Sequence, residues 1–277
     1  MVSLTNDNYY DVKDYMSVSE YKDFFGSLGL KACERTAYLR MNGQIEEKKS
    51  MPLLVGGYVD AYFEGTLDNF REKHKDDIYT KNSLKAFEKK GNPDDLCLYA
   101  DFEKANYIID RIERDPMFMY YMSGEKQVIM TGEIEGQPWK IKVDSLLSDT
   151  IVDLKVMSEI SKNKWIEDVG EFLNFIFVWG YDIQGAVYQE IVRQNTGKKL
   201  PFVIAVATKE DEPDIELIEV DQVYLDEALA RVKADIPRYT GLKAGVIEPT
   251  QCHVCPCCRR DKVLMGTIML SQIMNQK

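Results

Sequence analysis

The sequence KVDSLLSDTIVDLKV, residues 142–156, places two aspartates and a lysine inside what reads as two consecutive β-strands. In an extended strand over residues 150–157, side chains alternate between faces, so Asp153 and Lys155 point the same way. The rest of this strand is apolar on both faces, as in a buried central strand, through Ile151, Val152, Leu154 and Val156. Unpaired charges are costly in such a strand, so the aspartate and the lysine need a partner or a function.

The preceding strand, predicted over residues 139–146, carries Asp144, which a hairpin would bring beside Asp153 and Lys155. Two carboxylates at short range repel each other and raise one pKa unless a cation holds them. Mg²⁺ accepts such hard oxygen ligands, and the backbone carbonyl of Leu154 offers one more. A lysine beside such a cation can orient a water, or help keep it deprotonated, for attack on phosphorus. The alternative is a surface hairpin whose charged side chains form weak ion pairs.

Around this hairpin, the sequence predicts helices first and a sheet afterwards. Periodicity and capping signals predict helices over residues 17–25, 30–41, 51–63, 101–114, 179–194 and 222–238, and a short one from Lys262. Alternation predicts strands over residues 127–133, 139–146, 150–157, 201–208 and 215–220, and KKGNPDD at 89–95 predicts a loop. We therefore expect an α/β fold: a central mixed β-sheet flanked by helices, with an N-terminal helical elaboration.

The composition predicts a folded protein that is not a general polyanion binder. The chain has 277 residues, 45% of them hydrophobic, and a formal net charge of −11. Any nucleic acid would therefore have to meet a local basic patch. No secretory signal is visible, and no apolar run approaches the roughly 20 residues that span a bilayer. We expect a cytoplasmic protein without a membrane partner, forming one domain: a mainly helical part (1–122), a candidate catalytic core (123–240) and a Cys-rich end (241–277).

The order of the polar residues carries a family resemblance. Asp144, then DLK from Asp153 to Lys155, then Q-x-x-x-Y from Gln184 to Tyr188 on a predicted helix, resembles the PD-(D/E)XK nuclease superfamily. Within it, the pattern is most similar to the RecB-like branch and to RecE-type and lambda-exonuclease-like phage recombination exonucleases. The resemblance implies a restriction-endonuclease-like core in which Asp144 and Asp153 hold Mg²⁺ or Mn²⁺ and Lys155 serves the attacking water. Gln184 and Tyr188, one helical turn apart, would lie beside them.

A further acidic position lies upstream, in GYVDAYFE at residues 57–64. This stretch resembles the family's helical Gly-x-x-His-x-x-x-Glu element, with Asp60 in the place of the histidine. The resemblance implies Asp60 as another metal ligand, since an aspartate also ligates Mg²⁺. Alternatively, Asp60 and Glu64 form a solvated acidic stripe at a helix end. Glu133, at the end of a predicted strand, is a weaker candidate because such glutamates are usually exposed turn residues.

Four of the six cysteines crowd into CHVCPCC, residues 252–258. The overlapping CxxC spacings of Cys252, Cys255 and Cys258 let successive thiolates bend around one metal. Three local ligands are too few for a closed site, so Cys33 is the expected fourth. The layout resembles AddB-type nucleases and CRISPR-associated relatives, and implies a [4Fe–4S] cluster that joins the two ends of the chain.

Two alternatives remain open at the cysteines. Zn²⁺ is the rival on the same ligands, with Cys257 or His253 substituting for one of them, and the other alternative is that no metal binds. Cys97 stands alone in the sequence and is expected to be a packed thiol.

The resemblance implies a Mg²⁺-dependent DNA exonuclease of phage or prophage recombination. It would degrade the 5′ strand from double-stranded DNA ends and hand the 3′ overhang to a single-strand annealing protein (RecT-like). A ring-shaped homo-oligomer would gather basic residues in its lumen, from Lys155, Lys162, Lys164, Arg193, Lys198 and Lys199. The other classes are a non-catalytic DNA-binding or scaffold member of the fold, and a metalloprotein regulator centred on the cysteines. The presence of Asp144, Asp153 and Lys155 together favours the enzyme.

Overall fold

A five-stranded mixed β-sheet lies at the centre of the protein. The computed structural model describes residues 4–6, 8–45, 50–81, 96–264 and 266–270. The strands in these residues are β1 (Tyr79–Lys81), β2 (Leu96–Leu98), β3 (Glu125–Ile134), β4 (Gln137–Leu146), β5 (Ile151–Met157), β6 (Lys164–Ile166), β7 (Glu171–Leu173), β8 (Phe202–Thr208) and β9 (Ile215–Glu219). The central sheet has the order β3-β4-β5-β8-β9, and all its neighbours are antiparallel except the parallel pair β5 and β8. The expected α/β fold with a mixed sheet is confirmed.

Helices cover both faces of the central sheet. The helices in the described residues are α1 (Val18–Phe25), α2 (Glu34–Met41), α3 (Met51–Glu64), α4 (Leu67–Lys73), α5 (Lys75–Ile78), α6 (Ala100–Glu113), α7 (Pro116–Tyr121), α8 (Phe175–Trp179), α9 (Tyr181–Thr196), α10 (Gln222–Lys243) and α11 (Pro256–Arg260). None of these helices combines the length and the apolar character that crossing a bilayer requires.

The parallel pairing of β5 with β8 determines which helix covers one face of the sheet. Parallel neighbours need a connection that crosses a face of the sheet, and α9 supplies it. The apolar side of α9 packs with α10 and α1 in one core cluster, while α3 and α6 pack against the opposite face. All seven residues of β8 are buried, as a strand covered on both faces requires.

The pairing of β4 with β5 is short, and this opens a cleft. These strands pair only at Ser145 with Val152 and at Leu146 with Ile151. Beyond that point, the segment that precedes α1, here called the N-terminal arm, occupies the edge of β4. Its Met16 forms a parallel bridge to Trp139. The sheet is therefore split between β4 and β5, starting at Asp144 and Asp153.

Several elements differ from the sequence prediction. The hairpins β1–β2 and β6–β7 were not predicted, because strands of three residues carry too little alternation to recognise. The helix expected over 222–238 continues to Lys243 through Pro237, since Tyr239 and Leu242 are buried in the core. The helix expected from Lys262 does not form over the described residues 262–264 and 266–269, and α11 precedes it instead. The predicted loop at 89–95 lies outside the described residues.

Candidate active site

Asp144 and Asp153 meet where β4 and β5 diverge. The backbone N–H of Leu154 donates to Asp144 Oδ2 at 2.9 Å, so the carboxylate takes the place of a strand partner there. Lys155 Nζ lies 2.5 Å from Asp153 Oδ2 and donates to the Leu154 carbonyl at 3.2 Å. The hairpin thus brings together the two acids and the lysine that the sequence singled out.

Gln184 and Tyr188 approach the same place from α9. Gln184 Nε2 donates to Asp153 Oδ1 at 2.6 Å. The hydroxyl of Tyr188 donates to the carbonyl of Lys142 in β4 at 3.0 Å. Gln184 therefore fixes the Asp153 carboxylate directly, whereas Tyr188 holds β4 against α9 beside the cleft.

The charges of the site perturb one another because little water reaches them. Asp153 is 1% exposed. Burial, together with the negative charge of Asp153, raises the pKa of Asp144 to about 7. Burial also raises the pKa of Asp60 well above its usual range, and Asp144 adds to the effect. Although burial disfavours an ammonium, Asp153 and Asp144 raise the pKa of Lys155 above its ordinary value, so this lysine stays charged at neutral pH.

Asp60 reaches the cleft from α3, which packs against β5. It lines the same cavity as Asp144 and Asp153. Glu64, one turn further along α3, accepts a hydrogen bond from Thr66 Oγ1 at 3.2 Å, and its charge contributes to the raised pKa of Asp60. Glu133 is exposed in β3, where its backbone pairs with the side chain of Gln194, and it does not line the cavity.

A cavity of about 480 Å³ opens over these residues. Its lining also contains cationic side chains, from Lys13, Lys22, Arg40, Lys140 and Lys142. Lys140, Lys142 and Asp144 alternate along β4 and therefore share one face of the strand. The acids thus lie beside a row of lysines. The cavity is large enough to hold a small ligand or a short part of a long one.

The basic residues that the sequence offered for a lumen are largely engaged elsewhere. Lys162 lies 3.6 Å from Glu159, Arg193 2.8 Å from Glu190, and Lys199 3.0 Å from Asp226. Two of the cationic side chains of the cavity lining are engaged as well: Arg40 pairs with Asp23, and Lys140 donates to backbone carbonyls.

The donors at the cleft fit a hard divalent cation. Asp60, Asp144 and Asp153 direct carboxylates to one cavity, where burial first, and neighbouring negative charge second, raises the pKa values of Asp60 and Asp144. Gln127 Oε1, beside Asp144 but outside the cavity lining, is buried with no hydrogen-bond partner in the described part of the chain. Carboxylate and carbonyl oxygens suit Mg²⁺ and Mn²⁺. Among the described residues, the three carboxylates do not all lie within 4.8 Å of one another.

Gln127 is a site residue that the sequence did not indicate. It lies across from Asp144 in β3 with a left-handed backbone, φ 51°, and its Nε2 donates to Asp144 Oδ1 at 3.4 Å. A non-glycine residue with positive φ inside a strand marks a local distortion that serves a site. No sequence signal predicts it, because glutamine is common on ordinary strands.

The N-terminal arm adds two tyrosines to the cavity lining. Tyr9 and Tyr10 stack edge to face with ring centroids 5.2 Å apart, and Tyr10 is 68% exposed. Lys142 Nζ lies 5.3 Å from the Tyr10 ring centroid. Lys140 Nζ donates to the carbonyls of Tyr9 and Val12, which holds the arm against β4. These contacts join residues far apart in sequence, so local pattern could not reveal them.

The cysteines of the second site come together as the sequence proposed. The four Sγ atoms of Cys33, Cys252, Cys255 and Cys258 all lie within 4.8 Å of one another. Cys33 immediately precedes α2 and Cys258 lies in α11, so the site joins two distant parts of the chain. The remaining two cysteines and His253 are outside this set; Cys97 instead donates from Sγ to the carbonyl of Thr80 at 3.5 Å.

Removing the side chain of Gln184 should weaken the site without destroying it. We expect Gln184→Ala to lower the rate of the DNA cleavage that the family resemblance implies by about 10- to 100-fold, the usual effect of losing a group that orients a ligand carboxylate. The measurement is kcat and KM on a linear DNA substrate, with thermal unfolding as the control. A wild-type rate in a normally folded variant would contradict the positioning role of Gln184.

Known proteins resemble this chain over its whole length. Residues 17–261 match a family model described as a PDDEXK-like domain of unknown function (DUF3799). The structure resembles the crystal structure of a protein from Eubacterium rectale named "Putative exonuclease", with a TM-score of 0.89 and 50% sequence identity over 100% of both chains. No curated protein gives a significant match.

Proposed function

Since the chain belongs to the PDDEXK-like family, and so to the PD-(D/E)XK nucleases, we propose that it is a divalent-cation-dependent deoxyribonuclease that removes nucleotides from DNA ends. One observation carries the proposal: Lys155 Nζ lies 2.5 Å from Asp153 Oδ2 at the point where Asp144 splits the sheet. The name of the Eubacterium rectale relative supports the choice of an exonuclease.

Asp60, Asp144 and Asp153, with the carbonyl of Leu154, would hold Mg²⁺ or Mn²⁺. When bound, such an ion polarises a phosphoryl oxygen and lowers the pKa of a water. Gln184 keeps the Asp153 carboxylate in one orientation through its hydrogen bond of 2.6 Å. The burial of Asp153 strengthens its charge interactions with Lys155 and with a bound cation.

Lys155 acts in this proposal as a fixed positive charge. Because Asp153 and Asp144 raise its pKa, the ammonium keeps its proton and donates hydrogen bonds. It would orient the attacking water and stabilise the negative charge that develops on phosphorus oxygens. The water loses a proton to solvent as its oxygen forms the new bond to phosphorus, the bond to the leaving sugar oxygen breaks, and that sugar oxygen takes up a proton from solvent.

The finer assignments rest on the family resemblance. We propose cleavage in the 5′ to 3′ direction from double-stranded DNA ends, in phage or prophage recombination in the cytoplasm. The partners would be a single-strand annealing protein and further copies of this chain. The single-domain arrangement proposed from the sequence agrees with α1 and α9 sharing one core cluster.

The decisive experiment compares linear with circular duplex DNA in Mg²⁺ and in Mn²⁺, using wild type and Lys155→Ala. An exonuclease degrades the linear duplex to nucleotides and leaves the closed circle intact, and the variant is inactive on both. Endonuclease nicking of the circle would replace the exonuclease assignment. An inactive wild type in both metals would favour the scaffold or regulator alternatives.

Tyr10 should contribute to DNA binding through base stacking. Stacking on an exposed aromatic ring stabilises a single-stranded complex by about 1–3 kcal/mol per base, so Tyr10→Ala should raise Kd by roughly 5- to 150-fold, whereas Tyr10→Phe should not. The measurement is fluorescence anisotropy of a labelled oligonucleotide, without divalent cation. Tyr120→Ala is the matched control, because Tyr120 is 56% exposed and stacks edge to face on Tyr121 away from the cavity. Equal weakening by both alanine variants would refute a specific stacking role.

A further inference from the structure

The spacing of the cysteine sulfurs is specific enough to discriminate between metals. Cys33 Sγ lies 3.6 Å from Cys258 Sγ and 3.8 Å from Cys255 Sγ. Cys252 Sγ lies 4.0 Å from Cys258 Sγ. The four sulfurs therefore outline a small tetrahedron, whose ligand atoms all fall within 4.8 Å of one another.

A single zinc ion has this size. Zn²⁺ binds thiolates at about 2.3 Å in tetrahedral geometry, which places neighbouring sulfurs about 3.8 Å apart. The separations of 3.6, 3.8 and 4.0 Å are close to that value. In a [4Fe–4S] cluster each thiolate binds a different iron, so a cube of iron and sulfide separates the sulfurs. Sulfurs this close leave no room for such a cube, and the cluster that the AddB-type resemblance implies does not fit.

The surroundings of the sulfurs also suit a closed thiolate site. The backbone N–H of Cys255 donates to Cys252 Sγ and that of Cys258 to Cys255 Sγ, each at 3.3 Å. Thr36 Oγ1 lies 3.2 Å from Cys255 Sγ. Such contacts offset the negative charge of thiolates gathered on one divalent ion. Cys258 is 1% exposed, so the ion would be shielded from solvent on one side.

We propose that Cys33, Cys252, Cys255 and Cys258 bind one structural Zn²⁺ ion. Four protein ligands leave no open position for a substrate or a water, so the ion serves structure and not catalysis. It ties the start of α2 to α11 and the C-terminal segment. The proposal is independent of the nuclease function, because it needs only the geometry of the four sulfurs.

The fixed end of α2 is connected to the active-site cavity. Ala37, Arg40 and Met41 of α2 line that cavity. Arg40 also pairs with Asp23 of α1 at 2.6 Å. Cys33 lies at the start of α2, and Arg40 and Met41 lie at its end. By holding Cys33, the zinc ion therefore fixes the side of the cavity that α2 forms.

The test is the metal content of the full chain, purified under nitrogen so that an oxygen-sensitive cluster would survive. We expect about one zinc per chain, no stoichiometric iron or acid-labile sulfide, and no absorption band in the visible region. Iron and sulfide in equal amounts, with a brown colour, would overturn the proposal. A chain that carries no metal and binds no added Zn²⁺ would overturn it as well.

Two further measurements keep the test independent of folding defects. Cys258→Ser should lose most of the zinc, whereas Cys257→Ser, at the neighbouring cysteine outside the set, should keep it. Co²⁺ added to metal-stripped wild type should give the intense visible bands of a tetrahedral thiolate site, and zinc should abolish them. Cobalt bands of an octahedral oxygen site, or unchanged zinc in Cys258→Ser, would contradict these four ligands.

Discussion

Asp153→Asn should reduce DNA cleavage by about 10³-fold, which corresponds to about 4 kcal/mol of transition-state stabilisation. The substitution keeps the shape of the side chain and removes the charge that Lys155 and a divalent cation would share. Gln184 can still donate to the remaining carbonyl oxygen, so the hydrogen bond of 2.6 Å has a partner after the change. The loss therefore reports on the carboxylate charge rather than on a collapsed site.

Asp149→Asn is the matched control for this prediction. Asp149 lies on the same hairpin in the exposed turn between β4 and β5, where Thr150 Oγ1 donates to its Oδ1 at 3.2 Å. It undergoes the same change of charge within a few residues and should leave the cleavage rate unchanged. The measurement is the initial rate on linear duplex DNA at saturating Mg²⁺. If Asp153→Asn keeps more than about a tenth of the wild-type rate, the proposed cation site is wrong.

The hairpin was predictable because strand periodicity is a local property. Alternation alone places Asp153 and Lys155 on one face, and the apolar neighbours mark β5 as buried. The short turn between the strands brings Asp144 within reach. Helical periodicity likewise places Gln184 and Tyr188 on one face of α9. These four relations depend on residues close together in sequence, and the structure has each of them.

The rest of the site depends on contacts that no local pattern encodes. Gln127 faces Asp144 only because its backbone adopts a positive φ, which a non-glycine sequence does not announce. Tyr9 reaches the cavity because the short β4–β5 pairing leaves an edge for the N-terminal arm. The arm is held by Lys140, which is separated from it by more than a hundred residues. Strand register and the divergence of β4 from β5 determine where Gln127 and Tyr9 lie. Sequence periodicity predicts neither position.

The cysteine site was predictable in its ligands but not in its metal. Spacing indicates which thiolates meet, whereas it leaves an iron–sulfur cluster, zinc and no metal all open. The number of metal atoms depends on how far apart the sulfurs stand, which only the tertiary packing of α2 against α11 decides. The distances between the four sulfurs are therefore what the structure adds to the sequence at this site.

Cys33→Ser should produce the largest loss of stability among the single substitutions considered. It removes the ligand that comes from the N-terminal part of the chain, and loss of a structural metal is among the few changes that destabilise a protein by 4 kcal/mol or more. For a chain of this size, about 4 kcal/mol corresponds to a fall in Tm of roughly 10 °C. Chelator treatment of the wild type should lower Tm by a similar amount, and should not lower it further in the variant.

Cys97→Ser provides the control, because Cys97 is outside the sulfur set and serine can still donate to the carbonyl of Thr80. We expect its Tm to stay within a few degrees of the wild type. In Cys33→Ser, the freed end of α2 should also raise KM for DNA more than it lowers kcat, since Arg40 and Met41 line the cavity from α2, whereas Asp144 and Asp153 lie on β4 and β5. A fall in kcat with unchanged KM would mean that the cysteine site acts on the acids themselves, and an unchanged Tm would mean that no structural metal binds there.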